Sequence, residues 1–155
     1  MKSFEQSFKV NSNIDKVWKF YTDIKHLEIV TPPDLNLKII ETSNKQIVKG
    51  LRMTISGRLV LYNSKWNSII SLFDTSKHMY IDEMVKGPFK KWKHVHLFSE
   101  TGENQTVIID KIEFELPFFF LGKLMEGYVQ NNLRKIFEFR KIQTVSYLSN
   151  KFADE

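Results

Sequence analysis

Apolar and polar residues alternate with a period of two through most of the chain up to Leu116, and then switch to the three-and-four spacing of a helix. Phe4, Gln6, Phe8 and Val10 fit a first strand. Ser12 with Asp15 three residues later is a variant of the capping box, and Ile14, Val17, Trp18 and Tyr21 follow at helical spacing, which predicts a helix from about residue 13. A second short helix is expected over Asp23 to Val30, stopped by Thr31-Pro32-Pro33, because a residue before proline is pushed out of the helical region.

Strands and turns then follow. Leu35, Leu37 and Ile39 alternate with polar positions, and Leu51, Met53, Ile55, Gly57 and Leu59 alternate with Arg52, Thr54, Ser56 and Arg58. Lys65 to Phe73 places Trp66, Ser68, Ile70 and Leu72 on one side, and Asp74-Thr75-Ser76 supplies turn chemistry. Strands at Met79 to Val85, Trp92 to Glu100 and Thr106 to Leu116 complete a meander, joined through Gly87-Pro88 and Gly102-Glu103-Asn104. Strands joined so tightly are expected to be antiparallel neighbours. After Pro117, the residues Leu121, Leu124, Met125, Tyr128, Val129, Leu133, Ile136, Phe137 and Arg140 trace one face of a long helix. Trp18 and Tyr128 read as helix packing residues. A polar tail is expected at 148–155, leaving a single domain over 1–147.

Composition narrows the function. A chain of 155 residues with 42% hydrophobic and 26% charged residues fits one globular domain. Its 13 Phe, 5 Tyr and 3 Trp are many large rings, enough to fill a large interior or to line one that is not filled. There is no cysteine, which excludes disulfides, a thiolate nucleophile and a cysteine zinc site. The charged start lacks a signal-peptide core, and no run approaches the roughly 18 apolar residues of a membrane span, so a cytoplasmic protein is expected. A net charge of +5 leaves nucleic acid open as a partner, but 23 basic residues are scattered among 18 acidic ones. The nearest patch, Lys86, Lys90, Lys91 and Lys93, reads as the solvated side of a strand, so no nucleic-acid partner is expected.

The chemistry gathers on the strand Trp92-Lys93-His94-Val95-His96-Leu97-Phe98. Its alternation sets two imidazoles between two aromatic rings on one face. By the same parity Asp110 shares a face with Ile108, Ile112 and Phe114, and Glu83 lies between Ile81 and Val85. A carboxylate on an apolar face needs a partner, and an imidazole is a natural one. His94 and His96 are therefore expected to bond Asp110 or Glu83. As metal ligands the pair alone is insufficient, since zinc takes three or four protein ligands and the sequence fixes no third; no metal and no cofactor is expected. No Gly-rich phosphate loop or covalent nucleophile signature is present.

The order strand, two short helices, six strands, long helix, together with Leu27 to Pro33, Tyr80-Ile81-Asp82-Glu83, Gly87-Pro88-Phe89, the Trp-x-His-x-His-x-Phe string, Asp110, Glu115-Leu116-Pro117 and Ile136 to Arg140, resembles the START-like or SRPBCC (Bet v 1-like) ligand-binding superfamily. Within it the chain is similar to a branch near polyketide cyclase/dehydrase-like and coenzyme Q-binding proteins. The resemblance implies an α+β helix-grip fold: a curved seven-stranded antiparallel sheet around the C-terminal helix, with a hydrophobic cavity between them. Asn13 departs from the proline that many relatives carry at the helix start.

The expected role is binding of a small hydrophobic molecule, such as a lipid, quinone or polyketide, with Trp66, Glu83, Trp92, His94, His96, Phe98, Asp110 and Phe114 as candidate wall residues. An alternative is acid–base catalysis of cyclisation or dehydration on a polyketide-like substrate. There one histidine is the base and Asp110 or Glu83 its orienting partner or the acid. A further alternative is a protein-interaction module with a collapsed cavity. A void on the order of several hundred Å³ beside His94 and His96 separates the cavity readings from the collapsed one. Phe118-Phe119-Phe120-Leu121 reads as a buried staple at the helix start, or as a pocket lip making transient membrane contact.

Overall fold

The structure is a computed structural model that describes residues 1–59, 61–117 and 119–150, with the side chains of 119–124 and 150 outside the description. The Phe118 to Leu121 run and positions Leu121 and Leu124 of the helix stripe therefore lie outside the described residues or side chains. The elements in order are β1 (Lys2–Val10), α1 (Ile14–Thr22), α2 (His26–Ile29), a 3-10 turn (Pro33–Leu35), β2 (Lys38–Thr42), β3 (Arg52–Gly57), β4 (Ser64–Asp74), β5 (Met79–Lys86), β6 (Lys91–Gly102), β7 (Gln105–Glu115) and α3 (Phe119–Asn150). The sheet is seven-stranded in the order β1-β7-β6-β5-β4-β3-β2, and every paired neighbour is antiparallel. This is the helix-grip arrangement.

Local chemistry explains the element ends. Asn13, not Ser12, caps α1, its side chain accepting a hydrogen bond from the Lys16 N–H at 2.9 Å, while Ser12 is buried and its Oγ has no hydrogen-bond partner. The second helix is shorter than the pattern predicts. Leu35 does not open a strand: the two prolines favour a 3-10 turn, and Asn36 adopts a left-handed conformation (φ 47°) before β2 begins. Asp74 holds the β4–β5 turn by accepting from the backbone N–H groups of Ser76 and Lys77.

One parity change matters for the core. Ile70 pairs with Asp82 but Leu72 pairs with Ile81, so an extra residue bulges from β4. Leu72, expected inside, is consequently 37% exposed, and Phe73 turns in against Trp18 at 5.2 Å between ring centroids.

The interior lies between the concave sheet face and α3. Val129, Leu133, Ile136, Phe137, Arg140, Thr144 and Leu148 form the buried stripe of α3. Tyr128, expected to pack, is 40% exposed because it falls beside that stripe. Only the start of the expected tail differs: α3 continues to Asn150 and Leu148 is buried, since its spacing from Thr144 keeps it on the core face, while 151–155 lie outside the described residues. Trp18 packs as expected, edge-on to Phe98 and His78. Each fully buried aliphatic or aromatic side chain of the stripe contributes roughly 1.5–3 kcal/mol.

Gly87, before the Pro88 turn, permits a close approach. A Cβ there would lie 2.5 Å from Met84 Sδ and 2.5 Å from Trp66 Cβ. The methionine can move, but Trp66 is fixed in the core wall. Gly87→Ala is expected to lower unfolding free energy by about 1–3 kcal/mol in urea denaturation; an unchanged midpoint would contradict this packing.

Candidate functional site

Strands β5, β6 and β7 build the site by register. His96 is paired with Asp110 on β7 and with Tyr80 on β5, while the adjacent row on the same face joins Asp82, His94 and Ile112. Two cross-strand rows, two residues apart along each strand and so on the same face, thus bring a carboxylate and two imidazoles together. α3 adds Arg140 from the opposite side.

Asp110 is the centre of the cluster. It is 1% exposed, and its Oδ1 lies 2.8 Å from His94 Nε2, 3.1 Å from His96 Nδ1 and 3.4 Å from Arg140 Nη1. His94 and Arg140 make hydrogen bonds to it. His96 approaches off the hydrogen-bond line, leaving its Nδ1 without a hydrogen-bond partner, as is Asp110 Oδ2. Burial by itself would raise the Asp110 carboxyl, but the His94 hydrogen bond, the His96 contact and the Arg140 charge outweigh it and hold the group far below the usual carboxylate range. Asp110 is therefore ionised, and an ionised carboxylate only accepts, so the proton on that bond belongs to His94 Nε2.

The surrounding groups are stacked tightly. The two imidazole centroids are 3.6 Å apart, Tyr80 stacks on His96 at 4.2 Å, and Arg140 sits 4.7 Å above the Phe137 ring. Burial pushes His96 down to about 3, reinforced by His94 and opposed by Asp110, so this ring is neutral across the physiological range. Tyr80 donates to the Tyr21 backbone carbonyl at 3.2 Å, and the Tyr21 hydroxyl meets Thr144 Oγ1 at 2.8 Å. Burial raises both phenols above their usual range.

A cavity of about 130 Å³ opens beside the cluster, between sheet and α3. His94, His96, Asp82 and Arg140 form its polar end, and Ile55, Trp66, Ile70, Trp92, Leu133 and Phe137 are among its apolar walls. It is smaller than the expected several hundred Å³ because rings occupy much of the concavity. Toward α2 it reaches His26, which bridges the Phe20 carbonyl at 2.7 Å and the Tyr147 hydroxyl at 3.1 Å.

The expected wall residues divide. Trp66, Trp92, His94 and His96 line the cavity; Asp110 stands behind the histidines; Phe98 and Phe114 are buried in the packed core on either side. Glu83 is a correction. It pairs with Lys93 on the outer face, and Asp82 takes the inward place. The apolar neighbours Ile81 and Val85 suggest an inner face, yet Val85 is 59% exposed, while Tyr80 and Asp82 line the cavity. The signal that identifies Asp82 is its pairing with His94 across the Gly87-Pro88 hairpin. Burial raises the Asp82 carboxyl, and its Oδ1 has no hydrogen-bond partner. The expectation that the histidines lack a third metal ligand also changes: His94, His96 and Asp110 present ligand atoms within 4.8 Å of one another.

No protein-family model and no curated protein sequence matches the chain. Solved structures do. Norcoclaurine synthase from Thalictrum flavum in complex with dopamine and hydroxybenzaldehyde matches with TM-score 0.71 and 17% identity, over 97% of this chain and 87% of that one. A START superfamily protein from Mycobacterium smegmatis matches with TM-score 0.69 and 10% identity, over 96% and 97%. Zhui aromatase/cyclase from Streptomyces sp. R1128 matches with TM-score 0.67 and 13% identity, over 97% and 92%. The chain has the START-like, SRPBCC/Bet v 1-like fold. Among the described residues no helix is long and apolar enough to cross a membrane.

The pH dependence of stability follows from these groups. His96 binds a proton readily when unfolded, near the ordinary imidazole value of about 6.5, but resists one when folded. The unfolded state therefore holds more protons, and His96 makes stability fall as pH drops from about 6.5 towards 3. Asp110, lowered by folding, adds its loss below its unfolded value of about 3.9; Asp82, raised by folding, works in the opposite direction. With EDTA present, the wild type is expected to lose a few kcal/mol, on the order of 2–4, between pH 6.5 and 4, and folded His96→Gln to lose less. Parallel curves from urea titrations of the two proteins would refute the assignment.

Proposed function

We propose that the chain binds a small, mainly apolar molecule with one polar end in the cavity between the sheet and α3. The observation that carries this reading is the cavity itself, with mainly apolar walls, a buried polar end formed by His94, His96, Asp82 and Arg140, and further polar groups of Asp23, His26 and Thr31 on the α2 side. Apolar burial supplies affinity at roughly 25 cal/mol per Å², and the polar end selects the ligand's orientation. A volume of about 130 Å³ suits a single ring, since a cavity of about 150 Å³ is known to accept benzene. A quinone or phenol headgroup therefore suits the resting cavity, whereas a long lipid chain or a polyketide requires wall side chains to move. The collapsed-module reading expects a filled core, whereas a void of about 130 Å³ remains, smaller than the several hundred Å³ set for the cavity readings.

A second reading, acid–base catalysis, draws on the His94–Asp110 hydrogen bond. The Asp110 carboxylate orients the His94 ring through its Nε2–H, an arrangement that suits a neutral imidazole to take a proton at Nδ1 next to a carbonyl. Among the structural neighbours, norcoclaurine synthase and the aromatase/cyclase are named for enzymatic activities, and the former holds two small aromatic compounds.

Native mass spectrometry of protein purified from its own host is expected to show a retained small apolar molecule. Single-ring phenols and quinones at about 100 times their dissociation constants should raise the melting temperature by about 5–10 °C, with fatty acids raising it less. His94→Ala should change which compounds bind while the protein remains folded. Protein that carries nothing, and a melting temperature that no compound of the panel moves, would overturn the binding reading. Turnover of a carbonyl compound that His94→Ala abolishes would favour the catalytic one.

A further inference from the structure

The same cluster holds a combination of groups that a hydrogen-bond network does not use up. Asp110 Oδ1 is approached by three side chains, His96 Nδ1 among them at 3.1 Å but off the hydrogen-bond line, while Oδ2, equally buried, has no hydrogen-bond partner among the described residues. Imidazole nitrogen and carboxylate oxygen are both of the kinds that bind metals, and all three residues are more than nine-tenths buried.

We propose that His94, His96 and Asp110 form a binding site for one divalent first-row transition ion at the polar end of the cavity. The site stands on this geometry alone and does not depend on the organic-ligand reading. Metal bonds to imidazole nitrogen and carboxylate oxygen are about 2.0–2.2 Å long, so ligands at right angles lie about 2.8–3.1 Å apart. The two nitrogen–oxygen separations are 2.8 and 3.1 Å. They match adjacent corners of an octahedron or a related five-coordinate shape better than a tetrahedron, whose edges would be about 3.3–3.6 Å. The remaining pair of ligand atoms already lies within 4.8 Å, and a modest inward turn of the imidazoles completes a three-ligand face. Two imidazoles and a carboxylate suit iron(II), cobalt(II) or zinc(II) rather than calcium or magnesium.

Arg140 acts in two directions. Its bond to Asp110 Oδ1 orients the ligating carboxylate, while its charge opposes the incoming cation. An ion on His94 Nε2 takes the place of the proton shared with Asp110, and in a neutral imidazole that proton moves to Nδ1.

The test uses tag-free full-length protein, stripped with chelator and titrated with Zn²⁺ and Co²⁺. Because the chain has no cysteine, retained zinc cannot be thiolate-bound. One equivalent of ion is expected to survive dialysis, and Co²⁺ should broaden the ring signals of His94 and His96 more strongly than those of His26 and His78 in proton NMR. Asp110→Asn should weaken binding about 100-fold or more, and Arg140→Gln should tighten it by about tenfold. Failure of the wild type to retain an equivalent of either ion overturns the proposal. So does preferential broadening of His26 or His78, or undiminished retention by folded Asp110→Asn. Should that variant not fold, the wild-type NMR comparison decides alone. None of these readouts involves an apolar ligand, so failure here leaves the cavity reading intact, and the reverse holds.

Discussion

An ionised carboxylate buried in a sheet is the constraint around which this interior is organised. An isolated carboxylate in a low-dielectric core would be several kcal/mol too costly to keep charged. Asp110 is tolerated because β6 brings His94 to its Oδ1 by hydrogen bond, and α3 brings the Arg140 guanidinium, with the Phe137 face beneath that cation. The requirement couples the central strands to the terminal helix. A displacement of α3 would strip Asp110 of its compensating positive charge.

The cavity follows from the same arrangement. Arg140 and the imidazoles occupy one end of the space beneath α3, and rings from β4, β6 and α3 narrow the remainder, so a void remains that is ring-sized rather than lipid-sized. Its walls are mainly apolar, while its polar end carries donors, a neutral imidazole and a half-satisfied carboxylate. Such an end is able to orient a ligand's polar group, to move a proton or to hold an ion. The fold alone does not choose among these chemistries.

Much of this was legible in the sequence because strand alternation is a strong signal when one face is buried. The face shared by Trp92, His94, His96 and Phe98, and the matching parity of Asp110, appear in the structure as the alternation implies. Where alternation was ambiguous, the reading failed. On β5 both faces carry apolar residues, so Glu83 and Asp82 are distinguishable only through pairing with β6. The bulge after Ile70 is invisible to period-two counting and reverses Leu72. Arg140 was legible as a member of the helix stripe but not as the partner of Asp110, because helical spacing does not reveal which sheet row a residue meets. Cavity volume was not legible at all, since it depends on how the rings are turned.

The ionisation of Asp110 is the claim on which the site's geometry rests, and the carbon-13 shift of its side-chain carboxyl across a pH titration measures it most directly. The account predicts that this carbon keeps the shift of a carboxylate from neutral pH down to about 3, below the ordinary aspartate midpoint near 3.9. Titration of Asp110 at or above that midpoint in the folded protein would contradict it, because the carboxyl would then be an ordinary buried acid rather than the fixed charge that positions His94, His96 and Arg140.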